Sequence, residues 1–238
     1  MRLDLYTVKY NLFPTRSQAA DSIKRGFVCV NGSVATKASY EVKTTDTVTS
    51  TKVGAYVSRA GEKLEHALQE FNINVTGLEG IDIGSSTGGF TECMLRYGAN
   101  HIYSIEIGTD QFHQSLRSDP RISLYEQTDF RNFATTTEKV FDIIVCDVSF
   151  ISLSHIIPHL SKLSHKNTNI VLLFKPQFEV GKQFLNRQGI AQTVAAEKSL
   201  DDFLMTLLHH QITCLQKIPS PILGGDGNIE YLLYIKVI

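Results

Sequence analysis

The chain has 238 residues, 42% of them hydrophobic and 20% charged, with a formal net charge of −1, a composition that suits a soluble globular protein able to bury a proper core. No apolar run approaches the roughly 18 residues of a membrane span. The first residues, with Arg2, Asp4 and Lys9, lack the apolar stretch of a signal peptide, so a cytoplasmic location and no membrane partner are expected.

Cys29, Cys93, Cys146 and Cys214 are widely spaced with no Cys-x-x-Cys, which points to ordinary thiols rather than a zinc site or a compact disulfide framework. The near-neutral total hides an asymmetry. Residues 1–59 carry nine Lys/Arg against four Asp/Glu, a net +5, and the remainder is net −6. A basic head on an acidic body suggests that the head meets a polyanion.

In chain order, the first fifty residues read as two helices and then short strands. Thr15 is placed to cap a helix through Ala19, Ala20 and Ile23 that stops at Gly26, after which Phe27-Val28-Cys29-Val30 runs into the turn Asn31-Gly32. This unit, through Arg2-Leu3-Asp4, Thr15-Arg16-Ser17-Gln18-Ala19, Ile23-Lys24-Arg25-Gly26, Val28-Cys29-Val30-Asn31-Gly32 and Lys37, resembles the S-four type of RNA-binding domain. The resemblance implies RNA contacts at Arg2, Arg16, Ser17, Lys24, Arg25, Asn31 and Lys37, with Arg59 joining them past the domain's end. Thr44 to Lys52 is polar and Thr-rich and reads as linker. The expected division is an RNA-binding domain at 1–50, a linker at 51–58 and a second domain at 59–238.

The second domain opens with a helix from Gly61 to Phe71, in which Leu64, Ala67, Leu68 and Phe71 recur at helical spacing. Strand candidates Gly80–Gly84, His101–Ile107, Arg121–Glu126, Phe141–Asp147 and Asn169–Lys175 then alternate with helical segments, a pattern that predicts a parallel sheet covered by helices. A helix near Ala195–His210 precedes two strands, Ile212–Ile218 and Glu230–Val237, joined by a Pro/Gly-rich turn. The expected fold class is α/β, a Rossmann-like sheet, mostly parallel, whose C-terminal antiparallel hairpin strand resembles that of class I methyltransferase sheets, beside a small α+β RNA-binding domain.

Between the first strand and helix of this sheet lies Asp82-Ile83-Gly84-Ser85-Ser86-Thr87-Gly88-Gly89-Phe90. Glycines let the backbone approach a ligand, and the helix start offers free N–H groups. The spacing departs from the Gly-x-Gly-x-x-Gly of dinucleotide sites, and Asp82 would repel a pyrophosphate. The carboxylate suits the positive charges of S-adenosyl-L-methionine instead. Glu106, ending the second strand, is placed for both ribose hydroxyls, and Asp129, after the third, for the adenine amino group.

Lys63, Asp147, Lys175 and Glu230 stand near strand ends or beside the loop, and Asp147 and Lys175 should share the crevice at the carboxyl ends of the parallel strands. Arg59-Ala60-Gly61-Glu62-Lys63-Leu64, Asp82 to Thr91, Asp147-Val148-Ser149-Phe150-Ile151-Ser152-Leu153, Lys175-Pro176-Gln177-Phe178-Glu179 and Ser220-Pro221 to Gly227-Asn228-Ile229-Glu230 are similar to the TlyA (haemolysin A) family, whose catalytic half is FtsJ-like. The resemblance implies a Lys-Asp-Lys-Glu tetrad at Lys63, Asp147, Lys175 and Glu230, ribose 2'-O-methylation of ribosomal RNA at a cytidine, and no metal. Lys175 would serve as proton acceptor or as a fixed cation for the forming alkoxide.

The short chain resembles members that modify the large subunit, and the implied partner is ribosomal RNA or a ribosomal subunit, with a monomer as the simplest assembly. Two departures from the family stand out: Asp129-Phe130-Arg131 replaces the usual Asn-x-Arg, and Gln183 to Ala196 diverges. A non-catalytic RNA-binding or ribosome-assembly factor is the main alternative, marked by a broken tetrad; here the four residues are intact. A membrane-lytic haemolysin has no apolar or basic amphipathic segment to support it, and a dehydrogenase is disfavoured by the loop.

Overall fold

The computed structural model describes residues 1–13, 15–51, 56–224 and 227–238, and the chain divides into two compact units, Met1–Ala55 and Tyr56–Ile238. The first unit is built from helices α1 (Leu3–Lys9) and α2 (Arg16–Lys24) and strands β1 (Val28–Val30), β2 (Ser33–Val34) and β3 (Val48–Ser50). Thr15 caps α2 as its position suggests, its hydroxyl accepting from the Gln18 N–H at 3.3 Å. Asn31 and Gly32 turn the chain at φ 52° and 77°, the left-handed pair that a two-residue hairpin needs, and Val30 then faces Ser33. Leu3, Phe13, Ala19, Ile23, Val28, Val30 and Val42 form the core.

The segment expected to be linker is in part sheet. β3 pairs antiparallel with β1, Val30 opposite Val48 and Val28 opposite Ser50. Its polarity is misleading because an edge strand on a small sheet presents only one half-buried face, and alternating Val48 and Ser50 suffice for that. Residues 52–55 of the expected linker lie outside the described residues. Tyr56 and Val57 are buried in the second unit, and Ser58 precedes its first helix, so these three do not behave as linker.

The second unit contains α3 (Arg59–Glu70), β4 (Glu79–Ile83), α4 (Gly89–Arg96), β5 (His101–Ile105), β6 (Ile122–Tyr125), α5 (Phe130–Thr136), β7 (Phe141–Cys146), α6 (Ile157–Leu160), β8 (Ser164–Phe174), α7 (Pro176–Glu179), α8 (Thr193–His209), β9 (Ile212–Pro219) and β10 (Tyr231–Val237). The strand order is β6-β5-β4-β7-β8-β10-β9. Neighbours from β6 to β8 run parallel, and β10 lies antiparallel between β8 and β9. The turn between β9 and β10 includes residues 225–226, outside the described residues.

Both sheet faces are covered, which explains why Ile143–Cys146 of β7 and Ile170–Phe174 of β8 read as unbroken apolar runs. Ile143, Val145, Val171 and Leu173 pack with Leu64 and Leu68 of α3 and Met94 of α4; Ile144, Cys146, Ile170 and Leu172 pack on the other side with Leu200 and Phe203 of α8. β4 has β5 on one side and β7 on the other, so successive connections leave it in opposite directions. A crevice therefore opens beyond the carboxyl ends of β4 and β7, where such sheets bind ligands. Ile83 lies opposite Cys146, and the Asp147 N–H donates to the Ile83 carbonyl at 3.0 Å.

Candidate active site

β4 carries Asp82 into that crevice, and the loop that follows is shaped by close packing. Gly84 has φ 79°, and a Cβ there would stand 2.8 Å from the Asp147 carbonyl oxygen, so only glycine lets this turn lie against β7. Asp82 is fully buried. Its Oδ2 accepts from the backbone N–H and hydroxyl of Thr91 at 2.9 and 2.6 Å, while Oδ1 has no partner among the described residues. Burial, above all, pushes this carboxyl up to about 7. Glu106 braces the loop from beneath: its oxygens accept the N–H groups of Ser86 and Gly108 at 2.8 and 2.6 Å.

A cavity of about 430 Å³ lies above these groups. Its wall brings together Lys63, Asp82, Gly84, Ser85, Ser86, Thr87, Phe90, Asp147, Lys175 and Glu230, with Arg59 at the start of α3. The four ionisable residues form two pairs. Lys63 Nζ donates to Glu230 Oε2 at 2.5 Å, joining α3 to the residue before β10. Lys175 Nζ stands 2.5 Å from Asp147 Oδ1, outside hydrogen-bond geometry, and donates to Ser149 Oγ at 2.8 Å. Lys63, Lys175 and Glu230 are buried. Two withdrawn cations are costly unless paired, and each has its carboxylate.

Several expected residues stand elsewhere. Gly88 and Gly89 sit at the start of α4 and pack against Phe112 and Ser58 rather than lining the cavity. Glu106 lies behind the loop. Asp129 caps α5, accepting from the Arg131 N–H at 2.8 Å and pairing with the Arg131 guanidinium at 2.6 Å, which holds its carboxyl below the usual range. It does not line the cavity, because its oxygens are engaged by its own helix start.

Ser149, Phe150, Gln177 and Phe178 line the cavity as well, and sequence reasoning does not single them out. They belong to motifs whose ionisable members carry the recognisable chemistry. Phe150 is the most conspicuous, 91% exposed, at φ 64° and with its ring centroid 5.1 Å from that of Phe178. An exposed aromatic in a left-handed conformation leaves no periodic signal in a sequence. Gly224 is silent in the same way; a Cβ there would meet Glu230 Oε1 at 2.6 Å, so the carboxylate's place depends on it.

Residues 56–237 match the family model of FtsJ-like methyltransferases, and residues 1–48 match the S4 domain. A 16S/23S rRNA (cytidine-2'-O)-methyltransferase TlyA of Mycobacterium tuberculosis is 37% identical, over 99% of this chain and 89% of its own length. A 23S rRNA (cytidine-2'-O)-methyltransferase TlyA of Campylobacter jejuni is 36% identical over 98% of each chain. The chain belongs to the TlyA (haemolysin A) family of FtsJ-like methyltransferases. A solved protein described as a hemolysin, from Streptococcus thermophilus, is 37% identical with a TM-score of 0.76, covering 100% of this chain and 88% of the other.

Within this TlyA-family chain the S4 unit disposes its basic residues unequally. Arg2 and Arg16 both grip Asp4, at 3.0 and 2.9 Å, and Asp4 is 2% exposed. The bond from Arg2 leads the effects that pull the Asp4 carboxyl down to about 2 against its burial. Ser17, Lys24 and Lys37 are exposed. Arg25 is 3.6 Å from Asp21 and lies over the Phe27 ring. Asn31 is exposed but has its amide engaged by its own unit, donating to Asp46 and accepting from the Thr47 N–H, each at 2.9 Å. Arg59 lies in the methyltransferase unit, on the cavity wall.

The cavity also meets the demands of a polar cationic cofactor. Asp82 Oδ1, Ser85 Oγ and Gln177 Oε1 are buried acceptors on its wall without partners among the described residues, and unpaired buried acceptors favour a ligand that brings donors or positive charge.

Proposed function

We propose that this protein uses S-adenosyl-L-methionine to methylate a ribose 2'-hydroxyl of ribosomal RNA, at a cytidine of the large subunit. The observation that carries the reading is the pair of lysine–carboxylate contacts, Lys63 with Glu230 and Lys175 with Asp147, on the wall of the same cavity as the glycine loop. The two TlyA relatives share 23S rRNA in their names, which favours the large subunit. Such a substrate places the protein with ribosomes in the cytoplasm.

The cofactor would lie against the loop Gly84–Thr87, with the Asp82 carboxylate and Ser85 hydroxyl as acceptors and Glu106 holding the loop's shape through the Ser86 and Gly108 N–H groups. When bound, the sulfonium supplies a methyl group activated for transfer. The chain's task is then to hold the acceptor oxygen and handle its proton. Lys175 has three donors, one near Asp147 and one on Ser149, which leaves one to orient the ribose oxygen and stabilise its growing negative charge. As the O–H bond breaks, its proton passes to the Asp147 carboxylate, since the Lys175 ammonium has no lone pair to receive it, and from there to solvent. Lys63 and Glu230 supply a second fixed dipole at the same wall.

Phe150 and Phe178 form an aromatic lip on which an unstacked base can rest. The exposed cations of the S4 unit, Lys24 and Lys37 among them, supply phosphate contacts. Mapping ribose methylation on ribosomal RNA from cells with and without the gene tests the reading. A 2'-O-methylcytidine in 23S rRNA that disappears with the gene is the expected result, and an unchanged methylation pattern overturns it.

A further inference from the structure

Glu179 ends α7, four residues after Lys175, and is not part of the cavity wall. Both of its oxygens are nevertheless committed to the segment that carries Ser149 and Phe150. Oε2 accepts from the Ser152 hydroxyl at 2.5 Å and Oε1 from the Leu153 N–H at 2.8 Å. Ser152 in turn caps the single turn of 3-10 helix at Leu153–His155. The lip segment is thus attached to the Lys175–Glu179 turn at three places: Ser149 Oγ to Lys175 Nζ, the Phe150 ring to Phe178, and Ser152 with Leu153 to Glu179.

Within this segment Phe150 is in the left-handed region at φ 64° with its ring almost wholly in solvent. A bulky residue holds that conformation only where its surroundings over-determine it. The ring cannot supply the restraint through burial, and Ser149 offers one hydrogen bond. The Glu179 carboxylate provides two more, close by on the other side of the strained residue.

We propose that Glu179 is a positioning residue for methyl transfer, pinning the Ser149–Ser152 segment so that Ser149 keeps the Lys175 ammonium, and Phe150 its ring, in place at the cavity. The proposal rests on the function given above. It predicts an asymmetry between two substitutions. Glu179→Ala removes both contacts. Glu179→Gln preserves both by reversing one: the amide oxygen still accepts from the Leu153 N–H, and the NH2 group donates to the Ser152 oxygen.

The test uses the full chain, tritiated S-adenosyl-L-methionine and purified large ribosomal subunits lacking the modification. Single-turnover methyl transfer at saturating subunit should fall roughly 10- to 100-fold in Glu179→Ala, the scale of a misplaced catalytic geometry. Cofactor affinity and melting temperature should stay at wild-type values, and deuterium uptake should rise over residues 148–154 alone. Glu179→Gln should match wild type in every measurement. An alanine variant within threefold of the wild-type rate, a glutamine variant as slow as alanine, a general loss of cofactor binding and thermal stability, or unchanged uptake over 148–154 overturns the proposal. If wild type itself leaves the subunits unmethylated, the functional reading fails, and the uptake comparison alone decides whether Glu179 holds the segment.

Discussion

In the S4 unit a buried carboxylate, Asp4, is gripped by two arginines whose side chains remain 41% and 58% exposed, whereas in the methyltransferase unit both members of the Lys63–Glu230 and Lys175–Asp147 pairs are largely withdrawn from solvent. The first arrangement anchors cations while leaving them at the surface, where a phosphate backbone can reach them and where salt screens them. The second removes charge from water at a desolvation cost that packing alone does not justify. On the proposed function, charge offered for recognition stays wet, and charge offered for chemistry is placed where its field is strong and its geometry fixed.

The largest expected effect is at Lys175. Lys175→Ala should slow methyl transfer at least about a hundredfold, the scale on which acid–base groups and preorganised electrostatic donors act, while cofactor affinity stays within a fewfold of wild type. Lys175→Arg should fail too, because a planar guanidinium does not reproduce a compact ammonium between Asp147 and Ser149. Single-turnover assays paired with calorimetry check this, and a variant keeping a third of the wild-type rate would break the comparison at its buried half.

A smaller effect separates Asp82 from the head. With its carboxyl raised to about 7, Asp82 is partly protonated near neutrality, and a cationic cofactor favours the ionised form. Cofactor binding should therefore release a proton, and affinity should strengthen by about five- to tenfold between pH 6 and 8 if the bound carboxyl falls by a unit or more. Calorimetry in buffers of different ionisation enthalpy measures the proton, and Asp82→Asn should flatten the dependence.

Asp4 has the opposite sign. Its carboxyl is depressed to about 2 in the fold, so its contribution to stability is present above the ordinary carboxylate range and disappears as pH falls from about 4 through 2. Backbone resonances of the S4 unit followed across that window should show acid unfolding that Asp4→Asn no longer displays, because the variant starts without the anchor. The smallest effect is at single exposed cations. Lys24→Ala or Lys37→Ala should weaken RNA binding modestly and lower the slope of log affinity against log salt by about one for each phosphate no longer neutralised, read from filter binding at several salt concentrations. An unchanged slope would remove that lysine from the interface.

How much of this is legible along the chain differs by residue. Thr15 and Asn31-Gly32 announce a helix cap and a hairpin turn because their local geometry depends on few neighbours. The alternation of apolar runs and helices announces the parallel sheet. Val48–Ser50 does not look like a strand, since its pairing with β1 comes from eighteen or more residues away. Asp129 looks like a ligand-binding carboxylate at a strand end, but an arginine two residues on claims it. Ser149, Phe150 and Glu179 carry no signal of their own, because hydroxyls, exposed rings and helix-end glutamates are common and acquire meaning only from what stands opposite.

The amino-acid sequence by itself determined the two-part organisation, the layered α/β sheet and the glycine loop, because these follow from periodicity and turn chemistry along the chain, while the four residues that pair in the cavity were marked by the resemblance of their motifs to the family. Tertiary structure alone decided which lysine meets which carboxylate, that Asp82 keeps one oxygen unpartnered among the described residues, that Glu106 braces the loop from behind, and that Glu179 holds the lip. Lys63 and Glu230 are 167 residues apart in the chain and 2.5 Å apart in space. Contacts of that kind depend on how the strands are ordered in the sheet, which no local pattern encodes.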